Sequence, residues 1–202
     1  MCFDRECILL CGGQSRRMGK DKGALVLNEK PLILHVLDTL NHQINELYIV
    51  VNDTKRQDQY QKIIKPTQYT YKITYLTDEE KNIGPISAIK TGLKNIKNTH
   101  ALILPCDTPH IQKQFINNIY QEQKNNKNYD AIIPYNPKTN KTQQLHAIYN
   151  KKTIPILEKQ IKNKNYKIKQ IFTKIKTKYI EEKKLDPTLK TYKNLNKPED
   201  LI

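Results

Sequence analysis

One stretch of this chain carries side chains in a pattern that could handle phosphate. It reads Gly12-Gly13-Gln14-Ser15-Arg16-Arg17-Met18-Gly19-Lys20-Asp21-Lys22 and directly follows the apolar run Cys7–Cys11. Glycines placed after a buried strand let backbone amides approach a phosphate with no β-carbon in the way. Ser15 adds a hydroxyl donor, Arg17 a planar fork for phosphate oxygens, and Lys22 a point charge. The segment is not a Walker A loop, because Lys20 is followed by Asp21 and the glycine spacing differs, and it is not G-x-G-x-x-G. A glycine turn with two exposed basic residues is the plain alternative. Turn chemistry alone accounts poorly for so many polar residues in fixed order after a buried strand.

Such a loop acts only if regular elements hold it. The apolar runs Cys7–Cys11, Leu47–Val51, Ile73–Leu76 and Ala101–Leu104, with Asp130–Pro134, read as buried strands. Helical patterns lie between them: one opening at Pro31 and running to Leu40, one over Thr54–Ile64, one from Gly84-Pro85 to Ile96, and a polar one after Asp107. Continuous apolar strands alternating with helices predict an α/β protein, a mostly parallel sheet covered on both faces. Ligands of such sheets sit outside the carboxyl ends of the strands, near the switch in strand order. The residues to examine are therefore Gly12–Lys22, Asn52, Asp78 and Asp107. Residues 137–202 are less regular. A strand over Leu145–Tyr149 and helices over Ile154–Ile161 and Ile168–Ile175 extend the same domain, with no linker and no repeat.

Composition removes several function classes. The 202 residues carry 35 Lys and Arg against 20 Asp and Glu, a net charge of +15. Residues 1–136 hold 18 against 14, whereas residues 137–202 hold 17 against 6. The excess is scattered lysine with only four arginines, Arg5, Arg16, Arg17 and Arg56, which suits a solvated surface better than a nucleic-acid footprint. No apolar run approaches a membrane span, and the run Cys7–Cys11 behind a charged start is too short for a signal peptide. Cys2, Cys7, Cys11 and Cys106 contain no C-x-x-C pair, so neither a disulfide framework nor a zinc site is expected. A reduced, soluble, cytoplasmic protein without nucleic-acid or membrane partners is the expectation.

At the residue level, Leu10-Cys11-Gly12-Gly13-Gln14-Ser15-Arg16-Arg17-Met18-Gly19-Lys20-Asp21-Lys22-Gly23 resembles the L-A-G-G-x-S-x-R-M-G-x-D-K-G signature of molybdenum cofactor guanylyltransferases. Leu27-Asn28-Glu29-Lys30-Pro31-Leu32 resembles the family's L-x-G-K-P-L, with Glu29 where glycine is usual. Asp78 and Gly84-Pro85 resemble its D-x5-G-P element, and Cys106-Asp107-Thr108-Pro109 its C-D-x-P. Asn194-Leu195-Asn196-Lys197-Pro198-Glu199-Asp200-Leu201 resembles its terminal N-x-N-T-P-E-D-L. The resemblance spans nearly the whole chain. It implies a single-domain, Rossmann-like, three-layer α/β/α nucleotidyltransferase over residues 1–202, with 1–136 the nucleotide-binding part and 137–202 an acceptor-side extension.

The implied reaction transfers GMP from GTP to molybdopterin-bound molybdenum (Mo-molybdopterin), giving the guanine dinucleotide cofactor and pyrophosphate. The implied catalytic residues are Arg17, Lys22 and Asp107, and the implied metal ligands for Mg2+ are Asp107 and Asn196. Leu10, Cys11, Gly12, Gly13, Ser15, Lys22, Asn52, Asp78 and Asp107 would bind GTP, with Asn52 and Asp78 near ribose and base. For Asp107 the alternative is a helix N-cap before Pro109; for Asn52 and Asp78 it is a cap or turn at a strand end; for Asn196 it is an ordinary loop asparagine. Gln144, Leu145 and His146 fall on the acceptor side, where His146 reads as a structural histidine more readily than as a base. A molybdenum-insertion protein and recipient molybdoenzymes are implied partners. Ala88 in Gly84-Pro85-Ile86-Ser87-Ala88 replaces a family glycine, which puts close backbone approach to a ligand there in doubt. The rival readings are a relative using CTP or another phosphorylated acceptor, and a basic RNA-binding protein.

Overall fold

The computed structural model describes residues 4–12, 22–80, 82–193 and 195. Among them run the strands β1 (Glu6–Leu10), β2 (Val26–Leu27), β3 (Lys30–Pro31), β4 (Glu46–Val51), β5 (Lys72–Thr77), β6 (His100–Pro105), β7 (Ala131–Asn136), β8 (Lys141–Thr142), β9 (Ala147–Asn150) and β10 (Thr177–Glu181). The helices are α1 (Leu32–Leu40), α2 (Thr54–Ile63), α3 (Pro85–Asn95), α4 (Lys113–Asn125), α5 (Ile154–Lys162) and the single turn α6 (Glu182–Leu185).

Eight strands make one sheet in the order β10-β7-β9-β6-β1-β4-β5, with β8 paired to β7. The pairs β6·β1, β1·β4, β4·β5 and β7·β10 are parallel. The strand β9 is antiparallel to both of its neighbours. The sheet is thus mostly parallel, as expected, with one reversed strand inside it.

Alternation along each strand divides the core into two layers. Cys7, Leu9, Leu47, Ile49, Leu102 and Leu104 face α1, α2 and α4. Ile8, Leu10, Tyr48, Val50, Ala101 and Ile103 face α3 and α5. Burial on both faces explains why these strands read as unbroken apolar runs. The helix α3 is drawn close to the sheet at Gly92, where a β-carbon would meet Ile8 Cγ2 at 2.5 Å.

Several boundaries differ from the sequence reading. Pro31 does not open the first helix as its first helical residue. It ends β3 and caps α1 with an extended backbone. The strand expected over Leu145–Tyr149 begins at Ala147, and the helix expected over Ile168–Ile175 is a 3-10 segment over Ile168–Thr173. Strand β10 was not expected: its sequence Thr-Lys-Tyr-Ile-Glu buries only Ile180 fully, because it lies at the sheet's edge. No helix of the described residues is long and apolar enough to cross a membrane.

Candidate active site

The chain leaves β1 and goes to β4 and β5 on one side, then returns through β6 on the other. Strand order therefore switches between β1 and β6, and the crevice of a parallel sheet opens at such a point. Backbone hydrogen bonds carry the ladder one residue past the strands. Cys106 N donates to Leu10 O at 3.2 Å, Cys11 N to Val50 O at 2.8 Å, and Asp78 N to Val51 O at 2.8 Å. These bonds place Asp107, Gly12, Asn52 and Asp78 in a row along the carboxyl ends of β6, β1, β4 and β5. Three interstrand steps separate the ends of the row, about 14 Å.

Each member of the row is held by a local contact. Gly12 lies against Asn52: a β-carbon at position 12 would fall 2.2 Å from Asn52 Oδ1. Asn52 caps no helix. The cap of α2 is Asp53, whose carboxylate accepts from Arg56 N at 2.8 Å. Arg56 also donates from a guanidinium nitrogen to Cys11 O at 3.3 Å, which ties α2 to the root of the glycine loop. Leu10 and Cys11 are buried beneath that root.

Asp107 is half-buried, and the N-cap alternative fails for it, because α4 starts at Lys113 with Gln112 as its cap. The chain's last described residue reaches back to it: Leu195 N donates to Asp107 O at 3.2 Å. Lys22 begins a 3-10 turn, Lys22–Ala24; its side chain lies outside what the structure describes. A β-carbon on its neighbour Gly23 would lie 3.2 Å from Cys106 Sγ, so the backbone at Lys22-Gly23 packs onto the strand end that carries Asp107. The expectations for Gly13, Ser15, Arg17 and Asn196 lie outside the described residues.

Asp78 is 7% exposed. Ser87 Oγ donates to its Oδ1, and Thr91 Oγ1 and the Glu80 amide each lie 3.4 Å from the same oxygen. Burial raises the Asp78 carboxyl above its usual range, while the bonds from Ser87, Glu80 N and Thr91 pull it back. Beneath this, Lys90 is buried and holds Glu79 and Glu80, each at 2.8 Å. Those contacts hold both carboxyls below the ordinary glutamate value. The sequence reading missed this network. Its signal was present in the spacing of Ser87, Lys90, Thr91 and Lys94, which puts polar side chains on one face of a helix after three consecutive acids.

Ala88 is packed into the core with Ile86 and Ile89, so its methyl group does not crowd the crevice. His146 is buried with ring contacts to Phe115 and Tyr192, in keeping with a structural histidine. Cys11 and Cys106 directly follow the neighbouring strands β1 and β6, and both thiols are buried.

Among known proteins, a curated relative from Methanothermobacter thermautotrophicus, named "Probable molybdenum cofactor guanylyltransferase", is 32% identical over 96% of this chain and 95% of its own length. A "Molybdenum cofactor guanylyltransferase" from Vibrio parahaemolyticus is 29% identical over 96% of this chain and 91% of its own. The crystal structure of molybdopterin-guanine dinucleotide biosynthesis protein A from Archaeoglobus fulgidus superposes with a TM-score of 0.79 at 24% identity, covering 97% of this chain and 94% of that one. The family described as the MobA-like NTP transferase domain matches residues 7–178. With its strand switch between β1 and β6 and its acid after β6 in place, the chain belongs to the MobA-like NTP transferase family.

Proposed function

We propose that this protein transfers GMP from GTP to Mo-molybdopterin, releasing pyrophosphate. The observation that carries the reading is the row Asp107, Gly12, Asn52, Asp78 across four adjacent parallel strand ends at the switch point. It gives an extended nucleotide a polar contact from its phosphates to its base.

In the transfer, an oxygen of the molybdopterin phosphate attacks the α-phosphorus of GTP. A new P–O bond forms as the bond to the β-phosphate oxygen breaks, and pyrophosphate leaves. Positioning and charge neutralisation dominate such a step. Arg17 and Lys22 meet the phosphates, and the amides of Gly12 and Gly13 with the Ser15 hydroxyl line their approach. Leu10 and Cys11 form the apolar edge for the base, Asn52 meets the ribose side, and Asp78 accepts from guanine N1–H and N2–H2.

The donor set at Asp107 suits magnesium. It offers one hard carboxylate at the mouth of the crevice, and the described residues contain no group of three His, Cys, Asp or Glu that would cage a metal without phosphate and water. Asp107 would hold Mg2+, with Asn196 as the second protein ligand. The bound ion would neutralise charge on the triphosphate. Contact with a molybdenum-insertion protein and recipient molybdoenzymes belongs to the same proposal.

The test is pyrophosphate release from a panel of nucleoside triphosphates with magnesium and Mo-molybdopterin. Release with GTP, and little with CTP, is expected. Release with CTP but not GTP would replace this reading with that of a cytidylyl-transferring relative.

A further inference from the structure

The Asp78 carboxylate is gripped on one side only. Ser87 Oγ, Thr91 Oγ1 and the Glu80 amide all approach Oδ1, and among the described residues no hydrogen bond reaches Oδ2. Ser87 Oγ has a single hydrogen and two carboxylate oxygens in reach: Asp78 Oδ1, and Glu80 Oε2 at 2.8 Å. Glu80 is already supplied, because Lys90 Nζ lies 2.8 Å from each of its oxygens. The hydroxyl hydrogen is therefore left for Asp78. Glu79 shares Lys90, and Lys94 bridges Glu79 to Glu158 of α5, so among the described residues Glu79, Glu80, Lys90 and Lys94 each have an opposite charge beside them.

A carboxylate reads two adjacent N–H donors well only when its plane is set to match theirs. With Oδ1 pinned to α3, the plane of Asp78 is set before any ligand arrives, and the side chain, though buried, keeps Oδ2 unengaged. Ser87 and Thr91 lie one turn apart on the same face of α3, so the rigid helix carries the alignment.

We propose that Ser87, backed by Thr91, is the positioning residue that aims Asp78 at the base edge of the bound nucleotide and thereby sets the preference for guanine over purines with fewer donors. The proposal rests on the reading of Asp78 as the base-side acceptor. A site built around a buried acceptor rejects ligands that lack the matching donor, and a freely turning carboxylate loses that discrimination.

The experiment measures equilibrium binding of GTP and of inosine triphosphate, which lacks the 2-amino group, to the full chain with magnesium between pH 5 and 8. In Asp78→Asn the GTP preference collapses, which supports the reading of Asp78. In Ser87→Ala the preference falls about fivefold, the loss of one hydrogen bond to a charged group. The acid limb of GTP binding also moves to higher pH, because a bond that lowers the Asp78 carboxyl is gone. The melting temperature stays within a few degrees of the parent. If Ser87→Ala melts below the assay temperature, Thr91→Val against Thr91→Ser carries the same readout, with the loss in valine and the recovery in serine. Preference and pH limb unchanged in Ser87→Ala, with the preference lost in Asp78→Asn, overturns the proposal and spares the reading. Preference unchanged in Asp78→Asn overturns both.

Discussion

Gly12 and Asn52 are in contact across the ends of two neighbouring strands, and the contact leaves no room for a side chain at position 12. A β-carbon there would lie 2.2 Å from Asn52 Oδ1 and 3.2 Å from Asn52 Cγ. The glycine of the loop after β1 thus lets an asparagine of the loop after β4 lie where it does, apart from any ligand. In Gly12→Ala the end of the Asn52 side chain must swing aside, which costs little stability because a flexible side chain gives way, but it takes Asn52 from its place beside the nucleotide and weakens GTP binding about tenfold. The clash is removed in Gly12→Ala/Asn52→Ala, so the GTP affinities of the four proteins should be non-additive. Additive losses would mean that Gly12 matters for another reason.

Asp107 and Lys22 carry the metal and phosphate assignments of the proposed reaction. For Asp107→Asn, turnover of GTP with Mo-molybdopterin should fall at least about a hundredfold, the scale of losing one electrostatic stabiliser. The bond from Leu195 N to the backbone carbonyl of residue 107 is kept in this variant, and an unchanged melting temperature separates loss of chemistry from loss of fold. For Lys22→Ala the expected effect is a KM for GTP raised about tenfold or more. Wild-type turnover in Asp107→Asn, at unchanged magnesium, removes the metal assignment.

The parts of this site that were readable beforehand are those whose physics is local. Apolar runs such as Leu47–Val51 and Ala101–Leu104 announce buried parallel strands, and the polar residue after each marks the crevice. The glycines and basic residues after β1 state their chemistry by order alone. What escaped depends on pairing between distant segments. Strand β10 is polar and counts as a strand only because β7 lies beside it. Ser87 becomes meaningful only when α3 packs beside the end of β5 and meets Asp78. The reversal of β9 leaves no trace in periodicity, since both directions alternate alike.

The hairpin β2–β3 carries a local conflict that one substitution can relieve. Val26 pairs with Pro31 and Leu27 with Lys30, which leaves a two-residue turn at Asn28-Glu29. Both turn residues have positive φ, 49° and 61°. This is the pattern of a type I′ turn, in which glycine is favoured at the second position. Asparagine tolerates the left-handed region, whereas glutamate is strained there by roughly 1 kcal/mol. Glu29→Gly should therefore raise the melting temperature by about 2–4 °C. Scanning calorimetry checks it, and an unchanged or lower melting temperature would show that the turn holds glutamate without strain. Because the hairpin follows the turn that carries Lys22, GTP binding should be unaffected or tighter in this variant.

His146 supplies a prediction about pH. Its ring is buried between Phe115 and Tyr192, at centroid distances of 6.4 and 5.7 Å, and its Nε2 has no hydrogen-bond partner among the described residues. Burial pushes its pKa down to about 3, whereas in the unfolded chain it titrates near 6.5. Between those values the unfolded state binds a proton that the folded state refuses, so stability rises with pH across this window and is lost as pH falls through it. The slope is at most about 1.4 kcal/mol per pH unit. His146→Leu removes the titration and the orphaned nitrogen together, at similar volume. At pH 7.5 the variant should be as stable as the parent or more so. Between pH 6.5 and 4.5 the parent should lose about 2 kcal/mol relative to it, the contributions of all other groups cancelling in the difference. Denaturant unfolding at several pH values measures this gap, and a gap that stays constant with pH would mean that His146 is not held neutral by its surroundings.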